Sequence, residues 1–354
     1  MKLLNLKKIM PLAFIGFAAM GVMGCAGNYY EGPISDHFDG TRFFNPNAPE
    51  PESRGFLSFL EWRFTRDPIA WPESVPLAKT DIPPLKVNGS ALRISNVGHA
   101  SLLIQTRGIN ILTDPVWSQR ASPFSFIGPK RIKAPGIAFD DLPPIDVVFV
   151  SHNHYDHLDV KSLQRLWRQF QPRIIVPLGN DTIIKAYDSD IEVEAYDWWD
   201  QTPLSNDLML HLVPKQHWSA RGLRDRNKAL WSGFVIESPD GPVYFAGDLG
   251  FGDGSQFETL RAKFGEMRFS AIPTGAFQPR WFMEYSHMNP AEAVQAYQIL
   301  NGKYAHAIHH GVFPLGDDGP VEADMALFSA LEAAEISQDL FRSLPVGDFW
   351  LIED

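Results

Sequence analysis

Hydrophobic and polar positions alternate with changing period along this chain, and the changes mark its elements. Leu92-Arg93-Ile94-Ser95 alternates with a period of two. Ser101–Thr106 and Ile109–Thr113 follow, with Arg107-Gly108 between them, so a hairpin is predicted there. Ile145–Val150 reads as a strand whose part from Val147 to Val150 is an unbroken apolar run, the pattern of a buried strand. Behind it Val160, Leu163, Leu166, Trp167 and Phe170 recur at helical spacing after Asp159, a suitable N-cap. The spacing then predicts a strand at Arg173–Pro177, a helix at Asp181–Tyr187 and a strand at Ile191–Glu194. The middle turns β-rich: Leu208–Val213, then Gly233–Ser238 and Val243–Ala246 flanking the turn Pro239-Asp240-Gly241-Pro242, then Phe269–Ile272. A helix over Ala291–Leu300 opens at Asn289-Pro290. A strand at Ala305–His309, a helix at Val321–Ile336 and a strand at Phe349–Ile352 complete the pattern. The whole reads as a mixed α/β chain whose sheets need cover on both faces.

The first ninety residues read differently. Lys2, Lys7 and Lys8 precede the apolar stretch Pro11–Met23, a charged segment and apolar segment of secretory-signal type, too short to span a bilayer comfortably. It ends in Val22-Met23-Gly24-Cys25, which resembles the lipobox of bacterial lipoproteins, so residues 1–24 are expected to be removed and Cys25 lipidated. Cys25 is the only cysteine, which rules out an internal disulfide. From Asn28 to Ser90 prolines are too dense for long regular elements, apart from a short helix predicted at Gly55–Phe64. Residues 25–90 are expected to form an arm that packs on a globular domain at 91–354 and adds apolar wall to a pocket. Of the 354 residues 45% are apolar, ample for a core. The net charge is −11, and loss of three lysines with the signal makes it −14. That charge argues against nucleic acid as a partner. It also assigns membrane attachment to acyl chains rather than to a basic surface. The location expected is the cell envelope, at an outer membrane and facing the periplasm.

The polar residues concentrate where strands end. Val147–Val150 leads into His152, His154, Asp156 and His157 within six residues; Leu210–Pro214 leads to His217; Val243–Ala246 to Asp248; Ala305–Ile308 to His309 or its neighbour His310. A lone His217 or His309 would be an ordinary histidine. Three imidazoles and a carboxylate packed behind a buried strand have no common structural use. Ligands at strand ends hold their geometry well. The donors exceed the four that one tetrahedral zinc takes, which favours two ions, about 3.5–4 Å apart in such centres. Histidine and aspartate without cysteine suit zinc, and suit iron or manganese as well.

The segment His152-Asn153-His154-Tyr155-Asp156-His157 carries the H-x-H-x-D-H motif of metallo-β-lactamase-fold hydrolases. Further segments resemble the N-acyl-phosphatidylethanolamine-hydrolysing phospholipases D: Gly98–Ser101, Leu112–Pro115, Gly128–Arg131, Leu142–Asp146, Gln216–Trp218, Phe245–Asp248, Ala271–Ala276, Pro279–Met283 and Ala307–His309. The likeness spans roughly Phe38 to Phe313. It implies a four-layer αββα sandwich with the metals at the upper edge of two sheets. It implies a first zinc on His152, His154 and His217, a second on Asp156, His157 and His309, and Asp248 bridging. It selects His309 over His310. It makes Asp114 a carboxylate supporting the site and His287 a histidine near substrate, with Ser286 where the eukaryotic enzymes carry Gln. Asp156 would also orient the attacking hydroxide, and a water or His287 would be the general acid. The implied reaction yields phosphatidic acid and an N-acylethanolamine from a membrane phospholipid. Two basic pieces, Lys130–Lys133 and Arg221–Lys228, stand beside Phe124, Phe126, Ile127 and Trp218 and fit a mouth for acyl chains and phosphate, with Trp281, Phe282 and Met283 on the same wall. The rival readings are another hydrolase of this fold, such as a lactonase, and a non-catalytic envelope lipoprotein. Sequence leaves the choice between monomer and homodimer open.

Overall fold

A computed structural model describes residues 29–49 and 56–353; the signal segment and Cys25 lie outside them. The arm contributes α1 (Phe56–Thr65). Strands β1 (Leu92–Gly98), β2 (Ser101–Thr106) and β3 (Ile109–Thr113) form an antiparallel meander. Then β4 (Val147–Phe149), α2 (Val160–Phe170), β5 (Arg173–Pro177), α3 (Asn180–Tyr187) and β6 (Val193–Tyr196) extend it with parallel strands. The chain crosses to a second sheet. There β7 (Gln201–Pro203), β8 (Met209–Val213), β9 (Gly233–Glu237) and β10 (Val243–Phe245) pair antiparallel. After α4 (Ser255–Phe264), β11 (Phe269–Pro273) adds in parallel. Beyond the short α5 (Arg280–Met283) and α6 (Pro290–Ile299) comes β12 (Tyr304–Ile308); α7 (Glu322–Ala333) then leads to β13 (Phe341–Arg342), both strands parallel to their neighbours. Strand β14 (Phe349–Ile352) returns to the first sheet beside β1.

The result is two seven-stranded sheets, β14-β1-β2-β3-β4-β5-β6 and β13-β12-β11-β10-β9-β8-β7. Each has three antiparallel pairings followed by three parallel ones. In the first sheet β3 and β4 therefore run alike, and in the second so do β8, β10 and β12. Their carboxyl ends meet along one edge of the sandwich.

The inner faces bury Leu92, Ile104, Ile111 and Phe149 against Leu210, Leu212, Phe234 and Phe269. Phe149 and Phe234 stack across the two sheets, centroids 4.8 Å apart. Alternate residues face outward. Val148, Val150 and Ile174 pack under Leu163 and Leu166 of α2, and Tyr244, Ile272 and Ala307 pack under Phe257, Leu260 and Leu327 of α4 and α7. This explains why the run around β4 is apolar without a break: both of its faces are buried. The layers are helix, sheet, sheet, helix, as the family likeness implied.

Some elements departed from the sequence pattern. β4 has only three ladder residues, although Val150 beyond it still donates its N–H to the Ile175 carbonyl at 3.1 Å. Helix α4 was not foreseen. Its start, Gly252-Asp253-Gly254, reads as a loop, and the cap comes from outside the helix, where Asp253 Oδ1 accepts from Ser255 N at 3.0 Å. Strands as short as β7 and β13 offer no period to detect. The arm packs on the domain. Phe38 and Phe43 are buried with Leu230 and Trp231, and Trp62 and Trp71 bond Asp317 and the Asp318 carbonyl.

Candidate metal centre

Beyond β4 the chain makes a tight turn and enters α2. The carbonyl of His154 accepts from His157 N at 3.1 Å and Leu158 N at 2.8 Å, and Asp159 caps the helix through Lys161 N. Buried Leu158 pins the turn. The fold gathers its donors into two groups of four, each within the reach of one cation, His152, His154, His217 and Asp248, and Asp156, His157, His309 and His99, with a third and overlapping group of Asp248, His287 and His309 at the rim. In the first, His152 Nε2 lies 2.8 Å from His154 Nδ1 and 3.2 Å from His217 Nε2. Asp248 stands between the groups. Its Oδ2 is 2.9 Å from His309 Nε2, 3.1 Å from His157 Nε2, and 4.0 Å from both His152 and His217 Nε2. Every metal-type residue foreseen from the sequence is in one of these groups.

Other groups orient the rings. Asp114, at the end of β3, takes His157 Nδ1 at 2.6 Å, Ser151 N at 2.6 Å and Ser151 Oγ at 2.7 Å. Ser151 Oγ in turn sits 2.9 Å from His152 Nδ1, so one buried carboxylate steadies two imidazoles. His217 Nδ1 donates to the Ser286 carbonyl at 3.1 Å. His310 turns away to Ser343 Oγ and Asp324, both at 3.0 Å. Positive φ angles at His99 (62°), Asp114 (34°) and His309 (66°) concentrate backbone strain at the site.

The electrostatics fit two cations. Burial holds His152 and His217 well below the usual imidazole range and takes His154 down to about 4, so these rings are neutral, as coordination requires. In the other group burial also acts to lower His157 and His309. The carboxylates of Asp248 and Asp156 outweigh it, and His309 rises to about 9. Two buried carboxylates thus draw positive charge into the centre. Asp248 Oδ1 is buried without a hydrogen-bond partner, an oxygen left for a cation. These features make the cluster a dinuclear metal site.

His287 stands at the rim, half-buried, with Nδ1 4.0 Å from Asp248 Oδ2. Two basic residues expected at the mouth face inward instead. Arg131 is buried, bonds the carbonyls of Val116 and Ser118, and lies over Phe313. Arg221 bonds the carbonyls of Asn153 and Leu158 and stacks on Tyr155, bracing the metal loop. Phe124, Phe126 and Trp281 remain exposed. His99 was given no role from the sequence. It lies in the short β1–β2 connection, and the signal available was a histidine after glycine in a turn otherwise flanked by apolar residues. Lys215 was also missed; it is buried under Gly247, with Nζ donating to the Ala246 carbonyl at 3.2 Å.

A family model described as "Beta-lactamase superfamily domain" matches residues 109–310. The chain is similar to "N-acyl-phosphatidylethanolamine-hydrolyzing phospholipase D 1" of Caenorhabditis elegans, 36% identical over 276 residues, covering 75% of this chain and 77% of that protein. It is also similar to "Outer membrane protein RomA" of Klebsiella pneumoniae, 33% identical over 109 residues, 31% of this chain and 79% of that one. Among solved structures, a possible metal-dependent hydrolase from Veillonella parvula shares the fold with a TM-score of 0.59 at 15% identity, covering 74% of this chain and 99% of that one.

Proposed function

This chain belongs to the metallo-β-lactamase superfamily of metal-dependent hydrolases, and from that premise we propose that it hydrolyses N-acyl phosphatidylethanolamine to N-acylethanolamine and phosphatidic acid. The observation that carries this reading is the pair of donor groups that meet at Asp248, in a chain 36% identical to a phospholipase D of that specificity. His152, His154 and His217 would hold one ion, Asp156, His157 and His309 the other, with Asp248 common to both. Zinc is the ion proposed, on donor chemistry. Bound there, two divalent cations supply Lewis-acid charge that ionises water at neutral pH and neutralises a phosphodiester's oxygens.

The chain's own residues do the rest. Asp114 fixes His157 and, through Ser151, His152. Asp156 orients the attacking oxygen. His287, at the rim and near Asp248, is placed to give a proton to the departing N-acylethanolamine oxygen. Phe124, Phe126 and Trp281 expose aromatic surface, 42%, 74% and 49% accessible, that suits acyl chains. Arg120, Phe124 and Tyr155 line one cavity of about 300 Å³ beside the metal loop. Attachment to an envelope membrane through lipidated Cys25 completes the proposal, and the likeness to RomA supports that location. No helix among the described residues is long and apolar enough to cross a membrane.

The test is a substrate panel with the full-length mature chain: long-chain and short-chain N-acyl phosphatidylethanolamine, a water-soluble phosphodiester and a lactone, each with and without chelator. A buried methylene is worth about 0.8 kcal/mol, so removing four from the acyl contacts should lower kcat/KM by about two orders of magnitude. Equal turnover of the soluble diester or the lactone would replace this reading by a hydrolase of another substrate class. Turnover that survives complete metal removal would dismiss the two-metal mechanism.

A further inference from the structure

We infer that His99 is the positioning residue of the second metal group, donating its Nε2–H to Asp156 and so fixing the carboxylate that group depends on. The inference rests on the two-metal reading above.

His99 occupies the connection between β1 and β2, where the strand register breaks between Asn96 and Gly98. Gly98 has φ 128° and His99 has φ 62°. A residue with a Cβ in the left-handed region costs roughly 1–2 kcal/mol, and histidine is among the residues that tolerate it. The strain points the side chain into the site. The ring is 3% exposed and is walled by Phe313, edge-on at 5.2 Å, and by His309 at 4.1 Å. Its Nε2 lies 2.9 Å from Asp156 Oδ2.

That oxygen is crowded by imidazoles. His309 Nε2 stands 3.2 Å away and His157 Nε2 3.3 Å away. His157 is already oriented by Asp114 through its other nitrogen. His309 is held through its backbone, because its N–H donates to the carbonyl of His99 at 3.0 Å. The β1–β2 connection therefore grips the second group twice, through a ring nitrogen on Asp156 and through a carbonyl on His309. Asp156, His157, His309 and Asp248 already supply four donors, a full tetrahedral set. A fifth protein donor is not needed there, and a hydrogen-bond donor that fixes Asp156 is. Supporting partners of this kind typically change metal affinity or activity 10–100-fold when removed.

Two substitutions separate this role from a merely structural one. Asn is comfortable in the left-handed region, yet its amide is too short to reach Asp156, so His99→Asn removes the donor and spares the backbone. His99→Gln places an amide N–H near the position of Nε2. Metal-free full-length protein is titrated with zinc against a chromophoric chelator, and cobalt-substituted protein is followed by its visible spectrum. In His99→Asn one of the two zincs should lose roughly 10–100-fold in affinity while the other is unchanged, the cobalt spectrum of the second site should change, and kcat should fall with KM nearly constant. His99→Gln should recover metal affinity to within a few-fold. Unaltered binding of both ions in His99→Asn would overturn the inference. So would His99→Gln behaving as badly as His99→Asn, which would make His99 a ligand or a packing residue. If the wild-type chain binds fewer than two ions, the two-metal reading itself fails, and the zinc titration shows this without any substrate.

Discussion

Asp248 carries more of the centre than any other single residue. It is buried, it faces histidines of both donor groups, and one of its oxygens has no hydrogen bond. A fully buried carboxylate is tolerated only where positive charge meets it. Burial acts to raise the Asp248 carboxyl, but the imidazoles of His157 and His309 outweigh it and hold it well below the usual carboxylate range; cations held by those rings would supply the same charge. Replacing Asp248 with Ala removes an oxygen from both groups at once. Metal content after dialysis, read by mass spectrometry, should fall from about two equivalents to below one. Two full equivalents in that variant would show that Asp248 is not shared.

At the scale of elements, the arm is the unusual part. Its residues 29–49 reach the centre directly: Asn45 Nδ2 donates to the carbonyl of His217 at 2.8 Å and to Tyr285 Oη at 2.7 Å. The segment is anchored by Phe38 and Phe43, and by His37, which lies between Asp36 at 2.6 Å and Asp197 at 2.7 Å and stacks on Trp198. Burial acts to lower the His37 pKa, but the hydrogen bonds to Asp197 and Asp36 outweigh it and the pKa is raised. The folded value thus lies above the unfolded one, near 6.5. Protonated His37 contributes its full stabilisation below about 6.5, and that contribution is lost as pH rises through the folded value. Asp36 is exposed and screened, so about 1–2 kcal/mol is the expected size, most of it from Asp197. Amide protection factors in residues 29–49, meaning the intrinsic base-catalysed exchange rate at each pH divided by the observed rate, should be higher at pH 6 than at pH 9. His37→Ala should abolish that difference while leaving the strands of the core as protected as before; an unchanged pH dependence would remove His37 from the anchor.

At the scale of the whole molecule, the centre is a seam between two sheets. His152 to His157 come from the first sheet; His217, Asp248 and His309 come from the second. Metal binding should therefore report on how the sandwich packs. Phe234→Ala deletes one ring of the Phe149 stack in a fully buried position and should cost about 3–5 kcal/mol, seen as a lower denaturant midpoint with unchanged slope. The same variant should bind zinc more weakly although no ligand has been touched. Loss of stability with undiminished zinc affinity would mean that each sheet holds its share of the centre independently. The attachment proposed for Cys25 belongs to this scale too. With no other thiol in the chain, Cys25→Ser should block both lipidation and removal of the signal, and a Cys25→Ser protein freed of its signal should move from the membrane to the soluble fraction; membrane partitioning equal to that of the unaltered protein would refute lipidation as the anchor.

Periodicity alone determined the strands and helices with long or doubly buried patterns, such as β2, β3, α2 and α6, because burial of one face writes its period into the residues. The segment from His152 to His157 was legible as a metal loop because its donors are neighbours in sequence and have no other common use together. The roles of His217, Asp248 and His309 became readable only beside that loop, through the family likeness. The tertiary structure alone decided what depended on distant segments meeting. It placed His99 on Asp156, 57 residues away, and Asn45 on the His217 carbonyl, 172 residues away. It turned Arg131 and Arg221 inward, although their sequence context beside aromatic residues suited an open mouth. A residue's type limits the bonds it can make. Which of them it makes is set by the groups that chain packing brings within about 3 Å, and no local pattern encodes that distance.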